Sequence, residues 1–224
     1  SYMQQFFKLV DKSRTQVVWQ SEWYGEFGLT EVIRLASRFT VAKFLSREDF
    51  ANRFAQGKPI TLAELLYPIL QAYDSVAIQA DVEFGGTDQK FNCLAGRDLQ
   101  ETMGQPPQQV FLMPLLPGTD GRKMSQSFNN YIGVDESPND MFGKIMSITD
   151  DLIPTYFELL TDVPDRELSE ILNSQTTPGS NPIDLKKRLG REIVDCFFQI
   201  TWLVWRQSFL FYPIIAEIIS NATI

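Results

Sequence analysis

The sequence predicts an α/β half followed by an all-α half. Three observations carry this. Asp81–Phe84 alternates in polarity, ends in an aromatic residue and runs into Gly85-Gly86, the pattern of a strand end. A helical run over Phe91–Met103 follows, and then a second apolar stretch, Gln109–Met113, that Pro114 ends. From Ser137-Pro138 onward the pattern is helical to the end of the chain.

The elements are read in order. Ser1–Val10 is short and partly apolar. Thr15–Trp19, with Val17, Val18 and Trp19, is predicted as a strand, the first of three. Trp23–Gly28 is aromatic and glycine-punctuated, so it is read as a loop. Thr30–Phe39 has helical spacing, with Thr30 as cap and Val32, Ile33, Leu35, Ala36 and Phe39 on one face. Ser46 is read as the next cap, with Phe50 and Phe54 one turn apart and Gly57 as the stop. Thr61 and Glu64 form a capping box before Leu62, Leu65, Leu66, Ile69, Leu70 and Tyr73, and Pro68 is expected to kink or loosen that helix. In Phe91–Met103, Leu94 and Leu99 face inward and Gly104 ends the helix. Leu115–Tyr131 is a polar, glycine-rich loop. The division falls at residues 1–136 and 137–224.

Composition limits function. The chain has 224 residues, 44% hydrophobic and 21% charged, which fits a folded globular protein. Acidic residues outnumber basic ones, 28 to 20, so a nucleic-acid contact must come from a local basic patch. Cys93 and Cys196 stand far apart without metal-type spacing, which fits a reducing compartment. Histidine is absent, which excludes Ser-His-Asp, Cys-His and His-metal chemistry within this chain. The first residue is Ser1 and no leader follows, so the chain reads as cut from something longer.

Chemistry centres on Asp81–Asn92. Two glycines at a strand end admit a ligand to bare backbone, and Asp88 and Gln89 supply a carboxylate and an amide for hydroxyls and amines. Alone, the stretch reads better as a turn with Thr87 or Asp88 capping the helix. Downstream, Asp120–Ser127 carries a lysine and two hydroxyls on a flexible loop, which by composition alone reads equally as a loop that closes over phosphates or as a solvated surface turn.

Together, Gly85-Gly86-Thr87-Asp88-Gln89 and Lys123-Met124-Ser125-Gln126-Ser127 resemble the class I aminoacyl-tRNA synthetases, and more narrowly the bacterial tyrosyl-tRNA synthetases. Leu62–Asn92 and Met141–Ile148 extend the resemblance, which covers roughly Gln16–Cys196. It implies the C-terminal part of a Rossmann-like catalytic domain followed by an α-helical anticodon-recognition domain. It implies tyrosine binding by Tyr67, Gln71, Asp74 and Gln89, with Tyr67 and Gln71 near the ammonium and Asp74 at the phenol. Offsets of four and three set the first three on one helix face. It implies ATP contacts from Gly85, Gly86, Asp88, Leu115, Leu116, Lys123, Met124, Ser125 and Ser127, with Lys123 and Ser125 catalytic. ATP is then the co-substrate, Mg2+ accompanies it, and no dedicated protein metal site is expected. The implied reaction is attack of the tyrosine carboxylate on the α-phosphate of ATP, then transfer to tRNA(Tyr), in the cytoplasm.

Three features depart from the family pattern. The histidine signature expected near the family's N-terminus is missing, along with the strands around it. Gln126 replaces a second lysine, a loss of the order of several kcal/mol of transition-state stabilisation. The resemblance fades after about Cys196, where an apolar, aromatic tail begins and the family's C-terminal RNA-binding domain is not found. Arg206, Gln207 and Pro213 make that tail a poor membrane span, so no membrane partner is expected. Lys186, Lys187, Arg188 and Arg191 form a basic cluster, read either as a tRNA-phosphate contact or as a solvated face balanced by Asp184 and Glu192. Phe39, Phe44, Phe50 and Phe54, in the family's connecting insertion, are expected at the surface and imply a homodimer. The alternative function is a truncated, non-catalytic derivative that binds tyrosine, tRNA or a protein partner.

Overall fold

The computed structural model describes residues 2–175 and 181–198. Helices α1 (Tyr2–Leu9), α2 (Ser21–Tyr24), α3 (Leu29–Ala36), α4 (Val41–Leu45), α5 (Glu48–Ala55) and α6 (Leu62–Ala77) precede strand β1 (Val82–Gly86). Helix α7 (Lys90–Thr102) connects it to strand β2 (Gln109–Met113). Helices α8 (Pro138–Met146), α9 (Ile153–Leu160), α10 (Asp165–Gln175) and α11 (Pro182–Phe198) complete the described chain. Two compact units result, one of residues 16–114 and one of residues 2–15 with 115–198.

In the unit of residues 16–114, β1 and β2 pair in parallel, Val82 opposite Gln109 and Gly86 opposite Met113. Parallel neighbours require a crossover, and α7 supplies it. Helix α6 packs closely along α7. Leu35, Phe44, Phe50, Ile69, Ala72, Val76, Ala95 and Leu99 form the core between them. Thr61 accepts from Glu64 N–H while Glu64 accepts from Thr61 N–H, so α6 starts on the expected capping box. The helix then runs through buried Pro68 without interruption.

Several expectations are corrected here. Residues 15–19 form no strand, and the described sheet has two strands, not three. Val17 and Trp19 favour strands, but propensity needs a ladder partner; instead the Trp19 N–H donates to the Glu22 carboxylate at 2.8 Å, and α2, starting at Ser21, takes Trp23 and Tyr24 out of the expected loop. Helix α3 has Gly28 rather than Thr30 at its cap position, because Glu31 folds back to accept the Gly28 N–H at 3.0 Å. Arg47, not Ser46, precedes α5. Ile33 is 59% exposed and Leu94 39%, so neither faces inward. Phe44 and Phe50 are core residues, 3% and 1% exposed, because their rings pack beneath α6 and α7; Phe39 is partly buried, and only Phe54 of the four stands at the surface.

In the other unit, Met141, Ile145, Ile153, Tyr156, Phe157, Leu189 and Ile193 form a helical core. Ser137 caps α8 through Asp140 N–H, with Pro138 at the first helical position, as the sequence indicates. Leu116 and Ile132 pack against this helical core. Packing therefore groups residues 115–136 with the helices, whereas the sequence division falls at 136. Helix α1 joins the same unit through Gln5 to Asp135 and Lys8 to the Val134 carbonyl. The apolar tail, beyond Phe198, lies outside the described residues. Among the described residues, no helix is long and apolar enough to cross a membrane.

Candidate active site

Helix α6 places Tyr67, Gln71 and Asp74 on one face, as their spacing requires. Tyr67 is 65% exposed and, with Arg47, Asp88, Gln89 and Asn92, lines an open cleft of about 920 Å³. The Asp74 carboxylate is held from a distance in sequence. Gln20 Nε2 donates to Oδ2 at 2.6 Å and Trp23 Nε1 donates to Oδ1 at 3.0 Å. Two donors leave about half of a carboxylate's lone pairs for another partner. The Tyr24 phenol donates to the Leu70 carbonyl beside them, and burial, reinforced by the Asp74 charge, pushes its pKa upward.

The two predicted glutamines come together through a residue the sequence reading did not single out. Asn92 Nδ2 donates to Gln71 Oε1 and to Gln89 Oε1, both at 3.0 Å. Asn92 is 6% exposed, and its Oδ1 has no hydrogen-bond partner among the described residues. One amide thus spends both N–H groups fixing two others across the α6–α7 contact. Its place three residues beyond Gln89, on the inner face of the first turn of α7, is the signal that could have found it.

Gly85 is closely packed. A Cβ there would stand 3.1 Å from Cys93 Sγ and 3.3 Å from Gln89 Cβ. Residues 87–89 form a short 3-10 turn, and Gln89, rather than Thr87 or Asp88, takes the cap position of α7, without a side-chain cap bond of its own. Asp88 is exposed at the cleft. Burial pushes the Cys93 thiol up to about 12, with the Glu83 carboxylate adding to it, so this cysteine stays protonated.

In the other unit, Leu115 is exposed and Leu116 is half-buried against the helical core. Lys123 and Ser127 are exposed, while Met124 and Ser125 are half-buried. Pro117 and Lys123 form an antiparallel bridge at the base of their loop. The basic cluster is largely neutralised. Lys186 pairs with Asp150 at 2.6 Å, Lys187 with Asp184 at 3.5 Å, and Arg188 with Glu167 at 2.8 Å and Glu192 at 3.3 Å. Arg191 is exposed.

Solved structures share this fold at low identity. A tyrosyl-tRNA synthetase from Archaeoglobus fulgidus, complexed with L-tyrosine, matches with TM-score 0.64 at 20% identity, over 88% of this chain and 71% of that one. A tryptophanyl-tRNA synthetase from Campylobacter jejuni matches with TM-score 0.53 at 18% identity, over 97% of this chain and 74% of that one. The architecture is that of a class I aminoacyl-tRNA synthetase. The family model for class I tRNA synthetases (W and Y) matches residues 1–198, and the chain belongs to that family. Among curated relatives, a tyrosine–tRNA ligase of Dehalococcoides mccartyi CBDB1 is 58% identical over 202 residues, 90% of this chain and 51% of that protein. One of Carboxydothermus hydrogenoformans is 52% identical over 195 residues, 87% of this chain and 47% of that protein. The chain thus spans about half the length of the curated relatives it matches.

Proposed function

We propose that this chain contributes to a tyrosine–tRNA ligase, which activates tyrosine with ATP and transfers the tyrosyl group to tRNA(Tyr). The observation that carries the reading is the α6–α7 pair, in which Asn92 ties Gln71 to Gln89 one turn from Asp74. The high identity to relatives named tyrosine–tRNA ligase supports it.

Tyr67 and Gln71 would receive the substrate ammonium, and Asp74, steadied by Gln20 and Trp23, the phenol hydroxyl. A half-buried acceptor that loses that hydroxyl disfavours phenylalanine, a rule whose reference case is itself a tyrosyl-tRNA synthetase. Gln89 would stand at the reacting carboxylate. Gly85, Gly86 and Asp88 would meet the ribose, and Leu115 and Leu116 the adenine. Lys123, with Met124, Ser125 and Ser127, would close on the phosphates, Lys123 offsetting charge as pyrophosphate leaves. Nothing in this reaction requires a covalent intermediate on the protein; positioning and electrostatics suffice. Mg2+ would arrive on the ATP phosphates rather than in a cage built from this chain. Among the described residues, no three carboxylate or thiol groups cluster to hold a metal.

The helical unit would meet tRNA, with Arg191 rather than its paired neighbours offering charge. Leu29, Val41, Phe54 and Leu62, each at least 60% exposed, support a homodimer. The cytoplasm is the expected compartment. The test is calorimetric binding. Asp74→Asn should weaken tyrosine binding tenfold or more, by loss of a charge-assisted bond of about 1.5–3 kcal/mol, with ATP binding nearly unchanged. Equal loss for both ligands contradicts the placement of the pocket.

A further inference from the structure

The polar loop at 117–130 is organised by a single buried amide. Asn130 is 3% exposed. Its Oδ1 accepts the Ser125 N–H at 2.8 Å, and its Nδ2 donates to Asp120 Oδ1 at 2.7 Å and to the Lys123 carbonyl at 3.3 Å. Its backbone carbonyl accepts the Thr119 N–H at 2.9 Å. Asp120 and the Lys123 carbonyl only accept, and the Ser125 amide only donates, so the network admits one orientation of this side chain.

Neighbouring residues are built around it. A Cβ on Gly118 would lie 2.3 Å from Asn130 Nδ2 and 2.7 Å from the Asn130 carbonyl oxygen, so any larger residue there must displace Asn130. The Gly118 N–H donates to the Arg122 carbonyl at 2.7 Å, and Gly121 turns the chain with a φ of 80°. The bonds from Asn130 and Arg122 hold the Asp120 carboxyl down at about 2. Arg122 lies over the Phe128 ring at 4.4 Å. The Tyr156 hydroxyl, rooted in the helical core, donates to the Pro117 carbonyl at 2.8 Å and anchors the loop's base.

We propose that Asn130 is the positioning residue of this loop: its amide braces the Lys123–Ser125 backbone against Asp120 and so sets where Lys123 and Ser125 stand when ATP is engaged. The functional half of this statement rests on the proposed ligase reading. The conformational half does not. Irregular backbone supplies few bonds of its own, and here one side chain replaces a strand ladder.

Two readouts separate the halves. Amide hydrogen exchange on this chain should show Ser125 exchanging about tenfold faster or more in Asn130→Ala, and in Gly118→Ala, whose new Cβ evicts the same amide. Unchanged Ser125 exchange in both variants overturns the proposal. In the full-length protein, Asn130→Ala should raise KM for ATP about tenfold while leaving tyrosine affinity within twofold. Accelerated Ser125 exchange with unaltered ATP kinetics overturns the positioning role. An unmodified protein without tyrosine-dependent exchange overturns the ligase reading, while the amide readout still decides the brace.

A third variant adds a signature that mere structural damage lacks. Asn130→Asp sets a second carboxyl at hydrogen-bond distance from Asp120, with the Arg122 guanidinium bonded to Asp120 and the Tyr156 phenol within reach of its charge. Two such carboxyls share one proton as pH falls, which restores the bridge. The variant's ATP defect should therefore shrink towards acid relative to the unmodified protein, and a pH-independent defect counts against the proposal.

Discussion

Gly96→Ala tests whether the α6–α7 contact sets the candidate site. Ser75 lies one turn after Gln71, and Gly96 one turn after Asn92, so the two close contacts are adjacent layers of one helix pair. A Cβ on Gly96 would stand 2.6 Å from Ser75 Oγ, 3.0 Å from Gln108 Nε2 and 3.2 Å from Ser75 Cβ. Overpacking of that kind costs about 1–3 kcal/mol. Moving the Ser75 hydroxyl also loosens its bonds to Glu83 and Gln108, at 3.2 and 3.3 Å, each contributing about 0.5–1.5 kcal/mol. Replacing glycine inside a helix returns ~1 kcal/mol. The net expectation is a loss of about 2 kcal/mol in urea unfolding, with weakened tyrosine binding as Gln71 and Asn92 separate. In a Ser75→Ala background the nearest clash is gone, and the same substitution should cost less. A gain of ~1 kcal/mol with tyrosine affinity intact would refute the reasoning, because the helices would then have room to spare.

Two further predictions concern charge. Glu64 is held near pH 2 by the Thr61 N–H, Arg53 and the Thr61 hydroxyl, and Asp120 near 2 by Asn130 and Arg122. Both folded values lie below the unfolded ones, so their stabilisation is complete above about pH 4.5 and is lost as pH falls towards 2. Urea midpoints across that window should decline, and Glu64→Gln should flatten part of the decline; a midpoint rising towards acid contradicts the sign. Gln126→Lys should raise the turnover of adenylate formation several-fold without changing tyrosine affinity, by adding a cation over the phosphates. An unchanged or lower rate means that no charge is wanting there.

What the sequence disclosed was local. The Thr61–Glu64 capping box, the Ser137-Pro138 start, and Gly57 and Gly104 at φ values of 63° and 80° all depend on neighbours within a few residues. The parallel pair was legible because strand, glycine turn, helix and strand follow one another in order. Long-range partners were not. Trp23 reaches Asp74 across 51 positions, and the segment that carries it is a helix where aromatics and glycine suggested a loop. Asn92 and Asn130 were passed over for the same reason: an asparagine's neighbours in sequence do not reveal which of its atoms will be buried and bonded. Thr15–Trp19 shows the reverse error, in which strand propensity had no strand to pair with.

The central claim is that residues of this chain help form tyrosyl-adenylate. It is tested most directly by tyrosine-dependent ATP–pyrophosphate exchange, measured on this chain and on a chimera in which it replaces the 202 matched residues of the Dehalococcoides mccartyi ligase. Exchange in the chimera should depend on tyrosine, find no support from phenylalanine, and fall sharply with Asp74→Asn or Lys123→Ala. A folded chimera with no exchange, or with exchange indifferent to both substitutions, would contradict it.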